Sequence, residues 1–279
     1  MPPAEPPADQ TDAPLLQLHG IGKTFGPVRA LEDINLDIPE GQVTALVGDN
    51  GAGKSTLIKT ISGIWQPSSG EMLWKGKPVH LHNPKAATDL GIATVYQDLA
   101  LCDNLDIVQN MLLGHEVRRR GLLDEVSMEL TAKRTLSDLR VVTVRSIRQP
   151  VGSLSGGQRQ SVAVAKAVML DARLVIMDEP TAALGVTQTE LVLDLIGRLS
   201  SRGHAVIVIS HNLAEVFQVA DRIAVLYLGR LAATGPASDF DTQSVVELMT
   251  TGASARVGGG NGAPSEVVPP GGRGSGAEG

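Results

Sequence analysis

One stretch of the chain, Gly48-Asp49-Asn50-Gly51-Ala52-Gly53-Lys54-Ser55, has the spacing G-x-x-x-x-G-K-[ST]. It follows the apolar run Val43–Val47 and opens a helical pattern over Thr56 to Ile61. Each residue type suits the binding of a nucleoside triphosphate. Gly48, Gly51 and Gly53 let the backbone curl until successive N–H groups point into one anion nest. Asn50 lies within that curl, and Thr56 extends it into a helix whose N-terminal end is positive. Lys54 supplies a point charge for β- and γ-phosphates, and the Ser55 hydroxyl suits Mg²⁺.

A second group completes that chemistry. Leu174-Val175-Ile176-Met177-Asp178-Glu179 is a buried-strand pattern that ends in two carboxylates. In a parallel sheet, ligands sit at the carboxyl ends of the strands. Asp178 is then placed to hold Mg²⁺, and Glu179 to take a proton from an attacking water. Leu154-Ser155-Gly156-Gly157-Gln158 precedes an Ala/Val-rich helix expected from about Arg159 to Leu170, and small residues at a helix start make a second phosphate-binding surface. Gln97 follows the strand pattern Ile92–Tyr96, and His211 follows Ala205–Ile209.

The elements that must position these residues read as a mainly parallel sheet. Val43–Val47, Leu174–Met177, Ala205–Ile209 and Ile223–Leu228 are β-branched-rich runs without alternation, as in strands buried on both faces. After Leu184, Thr187 and Glu190 have capping-box spacing, Leu191, Leu195 and Leu199 fall on one helical face, and Gly203 is placed to close the helix. Strand then helix, repeated, gives a doubly wound α/β core. Residues 15–40 and 71–82 read as short antiparallel strands with Gly/Pro turns, and about 98–153 as an inserted helical lobe. Arg118-Arg119-Arg120 within it reads as a solvated surface run. Residues 1–13, with four prolines, and 252–279, rich in Gly, Ser, Ala and Pro, are expected to be disordered, which leaves 14–251 as the folded body.

Composition bounds the rest. The 279 residues are 42% hydrophobic and 19% charged, with a net charge of −6 and no long basic block, which argues against a protein that coats nucleic-acid phosphates. The single cysteine, Cys102, excludes an intrachain disulfide. No apolar run approaches the roughly 20 residues of a membrane helix. No positive segment followed by an apolar one marks the N-terminus. The expected location is the cytosol, with membrane contact through a partner.

The order of motifs, from the Gly48–Ser55 loop through Gln97, Leu-Ser-Gly-Gly-Gln and Leu-Val-Ile-Met-Asp-Glu-Pro to His211, resembles the ABC ATPase family over nearly the whole body. The resemblance implies a RecA-like P-loop NTPase core with an antiparallel β layer and a helical lobe. It also implies two such domains closing head to tail around two ATP molecules. Ser155, Gly156, Gly157 and Gln158 would then face the γ-phosphate on the partner's loop. Gln97 would sense Mg²⁺ and the attacking water and couple to a membrane permease, and His211 would hydrogen-bond the γ-phosphate. Phe25, in Lys23-Thr24-Phe25-Gly26, matches the adenine-stacking position. Gly185 stands where most of the family has an aspartate that communicates across the dimer.

A finer likeness lies in Ala182-Ala183-Leu184-Gly185-Val186, Tyr96-Gln97-Asp98-Leu99-Ala100-Leu101-Cys102-Asp103-Asn104-Leu105 and Ile209-Ser210-His211-Asn212. These are similar to ATP-binding subunits of bacterial ribose, xylose and fructose importers. That likeness implies permease subunits, a second ATPase subunit and, indirectly, an extracytoplasmic sugar-binding protein, with no nucleic acid. Import of an amino acid or other polar solute stays open as an alternative. So does a soluble, non-transport ABC ATPase.

Overall fold

The computed structural model describes residues 14–141, 144, 146–182 and 184–255; the arm over 1–13 and most of the expected tail, 256–279, lie outside them. In chain order the chain forms β1 (Leu16–Phe25), β2 (Val28–Ile38), β3 (Val43–Gly48), α1 (Lys54–Ile61), β4 (Ser69–Trp74), β5 (Lys77–Val79), α2 (Pro84–Leu90) and β6 (Ile92–Val95). Then follow α3 (Ile107–Leu112), β7 (Arg118–Arg119), β8 (Leu122–Leu123), α4 (Glu125–Asp138), α5 (Gly156–Met169) and β9 (Leu174–Asp178). The last elements are α6 (Val186–Ser200), β10 (Ala205–Ile209), α7 (Leu213–Val219), β11 (Arg222–Tyr227), β12 (Arg230–Pro236) and α8 (Thr242–Thr251).

The apolar runs form the sheet read from them. The order is β12-β11-β3-β10-β9-β6. β11, β3, β10, β9 and β6 run parallel, and β12 is an antiparallel edge. Successive side chains of a strand point to opposite faces. In β10, Val206 and Val208 accordingly pack with Val162, Val192 and Ile196 of α5 and α6. Ile207 and Ile209 pack with Ile58 and Ile61 of α1 and with Ile21 and Ile34 of the second sheet. That second sheet is antiparallel, in the order β2-β1-β4-β5, and corresponds to the layer expected at 15–40 and 71–82.

Helix boundaries differ from the sequence reading in two places. α6 begins at Val186 with Gly185 as N-cap, and the Gly185 carbonyl accepts the N–H groups of Gln188 and Thr189 at 2.9 Å. Thr187 therefore sits inside the first turn, and the expected Thr187–Glu190 box does not form. The buried face is Val192, Leu195, Ile196 and Leu199, an i, i+3, i+4, i+7 set, while Leu191 falls at its margin with 36% exposure. Gly203 closes α6 as expected. It adopts φ 89°, its N–H reaches the Ser200 carbonyl at 2.8 Å, and the His204 N–H reaches Leu199 at 3.2 Å.

α5 begins at Gly156 rather than Arg159. Ser155 Oγ accepts the Gln158 N–H and Gln158 Oε1 accepts the Ser155 N–H, a reciprocal cap that draws the helix start back by three residues. α3 and α4 pack on α5 through Ile107, Met111, Met128 and Leu136. Arg148 ties these parts together, with Asp106 Oδ2 at 3.1 Å, Glu125 Oε2 at 2.9 Å and Glu129 Oε1 at 2.7 Å. Arg118, Arg119 and Arg120 are exposed on and beside the β7–β8 hairpin.

Candidate active site

β3 ends at Gly48 and α1 starts at Lys54, so the loop between them lies at the carboxyl edge of the parallel sheet. Two glycines are fixed by contact. A Cβ on Gly48 would stand 2.5 Å from the Leu226 carbonyl oxygen, and one on Gly53, at φ 107°, would stand 2.8 Å from that of Ala30. The loop is thus pressed against β11 and β2. Lys54 Nζ folds back to donate to the carbonyls of Gly48 at 2.6 Å and Asp49 at 3.0 Å. Burial lowers the pKa of this half-buried ammonium, opposed by the charges of Glu179, Asp49 and Asp178.

Two strands away, β9 delivers Asp178 and Glu179. Asp178 is half-buried, and desolvation raises its pKa against the pull of Lys54 and Lys59. Glu179 has φ 49°, in the left-handed region that costs a non-glycine residue about 1–3 kcal/mol. Its N–H is held by the Ile209 carbonyl at 2.9 Å. His211, at the end of β10, donates from Nδ1 to Glu179 Oε2 at 2.8 Å. The imidazole is 75% exposed and the carboxylate only 20%, so the outer group screens the inner one.

These groups face one cleft of about 760 Å³, whose wall includes Asn50, Gly51, Gly53, Lys54, Ser55, Thr56, Gln97, Asp178, Glu179 and His211. That volume lies in the range of ligand pockets, on the order of 300–1,000 Å³. Two predicted sets lie elsewhere. Ser155, Gly156, Gly157 and Gln158 are at the start of α5, outside the cleft wall. Packing explains the glycines there, because a Cβ on Gly156 would meet Leu184 Cδ2 at 2.6 Å and one on Gly157 would meet Gln188 Cβ at 3.1 Å. Phe25 is outside the wall too. Its ring sits edge-on to Trp65 at 4.7 Å, with the Lys23 ammonium 5.2 Å from its centroid. Its cross-strand partner Val28, with Arg29, takes a place in the wall instead.

The sequence reading missed Val28, Arg29 and Leu228 as wall residues. Leu228 ends the run Ile223–Leu228 that reads as a strand, yet it occupies the β11–β12 turn at φ 45° with 70% exposure. Nothing in its residue type marks it. The Glu179–His211 pair was equally hidden, since 32 residues separate the two in the chain.

A buried strand turned by glycines into a helix start, facing a strand that ends in carboxylates, defines the P-loop nucleotide-binding class. The ABC transporter family model matches residues 31–182. The chain belongs to the ABC transporter family, as one of its ATPase domains. It is 45% identical over 244 residues to the fructose import ATP-binding protein FrcA of Rhizobium meliloti, covering 85% of this chain and 94% of that one. It is 42% identical to the xylose/arabinose import ATP-binding protein XylG of Sulfolobus acidocaldarius, covering 87% and 96%. It is also 42% identical to the ribose import ATP-binding protein RbsA 2 of Rhizobium meliloti, of which it spans 46%. Among solved structures, cbiO1 of Clostridium perfringens, part of an ABC transporter complex, aligns with a TM-score of 0.72 and 26% identity over 86% of this chain and 96% of that one. A dimeric bacterial ABC transporter cassette aligns with a TM-score of 0.68 and 26% identity over 81% and 100%. No helix among the described residues is long and apolar enough to cross a membrane.

Proposed function

We propose that this chain hydrolyses ATP to power the import of a monosaccharide through a membrane permease, from the cytoplasmic face. The observation that carries the reaction is the convergence of Lys54, Ser55, Gln97, Asp178, Glu179 and His211 on one cleft. A half-buried ammonium whose charge is opposed by burial is a natural seat for β- and γ-phosphates, and the loop amides add donors. In the reaction, a water oxygen bonds to the γ-phosphorus while the bond to the β,γ-bridging oxygen breaks. Glu179 takes the water's proton. His211 orients the Glu179 carboxylate and offers its other ring nitrogen toward the γ-phosphate.

Ser55, Gln97 and Asp178 present only oxygen donors, which fits Mg²⁺, a cation that takes oxygen ligands together with substrate phosphates. When bound there, the ion would neutralise phosphate charge. Ser155, Gly156, Gly157 and Gln158 face outward from α5 in our reading, toward the nucleotide of a second ATPase subunit. Phe25 is assigned to the adenine on the strength of its cross-strand partner Val28, which is part of the cleft wall. We assign residues 14–251 to the ATPase unit, with the segment at about 98–153 as the lobe that meets the permease.

The cargo assignment rests on relatives named for fructose, xylose/arabinose and ribose import. It is tested by purifying the tagged chain from its own membranes in mild detergent. The expected companions are a multi-span permease and an ATPase rate raised by a sugar-loaded receptor. Recovery with soluble partners, ribosomes or nucleic acid alone would overturn the transport reading. Stimulation by an amino-acid receptor would replace the sugar.

A further inference from the structure

Two residues beyond Glu179, the side chain of Thr181 is buried, and its hydroxyl donates to Glu215 Oε2 on α7. The other carboxylate oxygen, Oε1, accepts from Asn212 Nδ2 at 2.8 Å. Asn212 directly follows His211 and caps α7, its own Oδ1 accepting the Ala214 N–H at 3.1 Å. One carboxylate therefore grips the turn that carries Glu179 with one oxygen and the turn that carries His211 with the other.

The Glu179 turn needs such a grip. A non-glycine residue stays at φ 49° only where its surroundings impose it. The anchors on the near side are the Glu179 N–H to Ile209 and the Ala182 N–H to the Glu179 carbonyl at 3.1 Å. The Thr181–Glu215 bond is the anchor on the far side. It keeps the two turns in register while His211 holds Glu179 through Nδ1 and meets the γ-phosphate with its other ring nitrogen. We propose that Glu215 is a positioning residue for hydrolysis, holding the Glu179 and His211 turns at a fixed spacing. This rests on the roles given to Glu179 and His211 above.

Asn212 must donate here, since its Oδ1 is committed to Ala214, while the Thr181 hydroxyl can donate or accept. Glutamine at this position can therefore keep both links, its oxygen taking Asn212 and its amide donating to Thr181, whereas E215M matches the length and removes both. The test is steady-state ATPase of the full chain, reading kcat and KM for ATP separately, with melting temperature alongside. Thr181→Val keeps the buried shape and removes the donor; Thr181→Ser keeps the donor. T181V and E215M should lower kcat on the order of tenfold to a hundredfold, as for a displaced catalytic group, with KM and melting temperature little changed. T181S should match wild type. The T181V/E215M double variant should fall no further than E215M alone, since T181V breaks a link that E215M already lacks. Wild-type kcat in T181V, equal loss in T181S and T181V, or a parallel loss of ATP affinity would each overturn the proposal. E179Q run beside them separates the two readings. A fast E179Q removes the base role itself, whereas a slow E179Q with a fast T181V removes only the role of Glu215.

Discussion

At Lys54 and Asp178 burial works against the charged form on both sides of the cleft. The signs fix what pH does. Asp178 holds its proton more tightly in the folded chain than in the unfolded one. It therefore contributes stability below the ordinary aspartate range and loses that contribution as pH rises toward its raised folded value. Lys54, lowered, penalises the fold below its folded pKa, and the penalty lifts as pH climbs to the ordinary lysine range. At neutral pH the cleft thus holds charges that burial disfavours. Asp178→Asn should raise the melting temperature of the nucleotide-free chain at neutral pH, with the gain shrinking toward acid, as read by thermal melts across pH. A lower neutral melting temperature would refute this electrostatic picture. Glu179→Gln should keep ATP affinity and lower kcat by about 10²–10⁴-fold, the usual worth of a positioned base. Lys54→Ala should instead weaken nucleotide binding, seen directly by titration.

Among the elements, helix starts were the least legible. The Gly203 stop could be read because a left-handed closing residue favours glycine, and the hydrogen bonds agree. The start of α6 could not, because its cap is the backbone carbonyl of Gly185 and no side chain advertises it. Gly185 is exposed, and a Cβ there would meet nothing within 4 Å. Gly185→Asp should therefore stabilise the fold by about 0.3–1 kcal/mol through the helix dipole. Ser155→Ala removes one half of the α5 cap and should cost about 1 kcal/mol. Ile196→Ala, in the face that α6 buries, should cost about 2–5 kcal/mol. Denaturant midpoints with unchanged slopes would check all three.

For the whole molecule, burial of strands on both faces left continuous apolar runs that placed the central sheet before any coordinates. The phosphate loop and the Asp178–Glu179 strand end were legible for the same reason, as each follows such a run. Pairings across long chain distances were not. The Glu179–His211 bond and the Thr181–Glu215 link depend on β9 and β10 lying side by side, and no residue spacing encodes that. The α5 start lies outside the cleft wall, which accords with a second copy supplying it to a shared nucleotide. E179Q with ATP should accordingly run as a dimer by light scattering, and dissociate when ATP is removed. The central claim is that hydrolysis in this cleft drives sugar inward. The most direct measurement is uptake of labelled monosaccharide by proteoliposomes holding the chain and its co-purified permease, with the sugar receptor outside and ATP within. Uptake that requires ATP and is abolished by E179Q is predicted; equal uptake with E179Q or without ATP would contradict it.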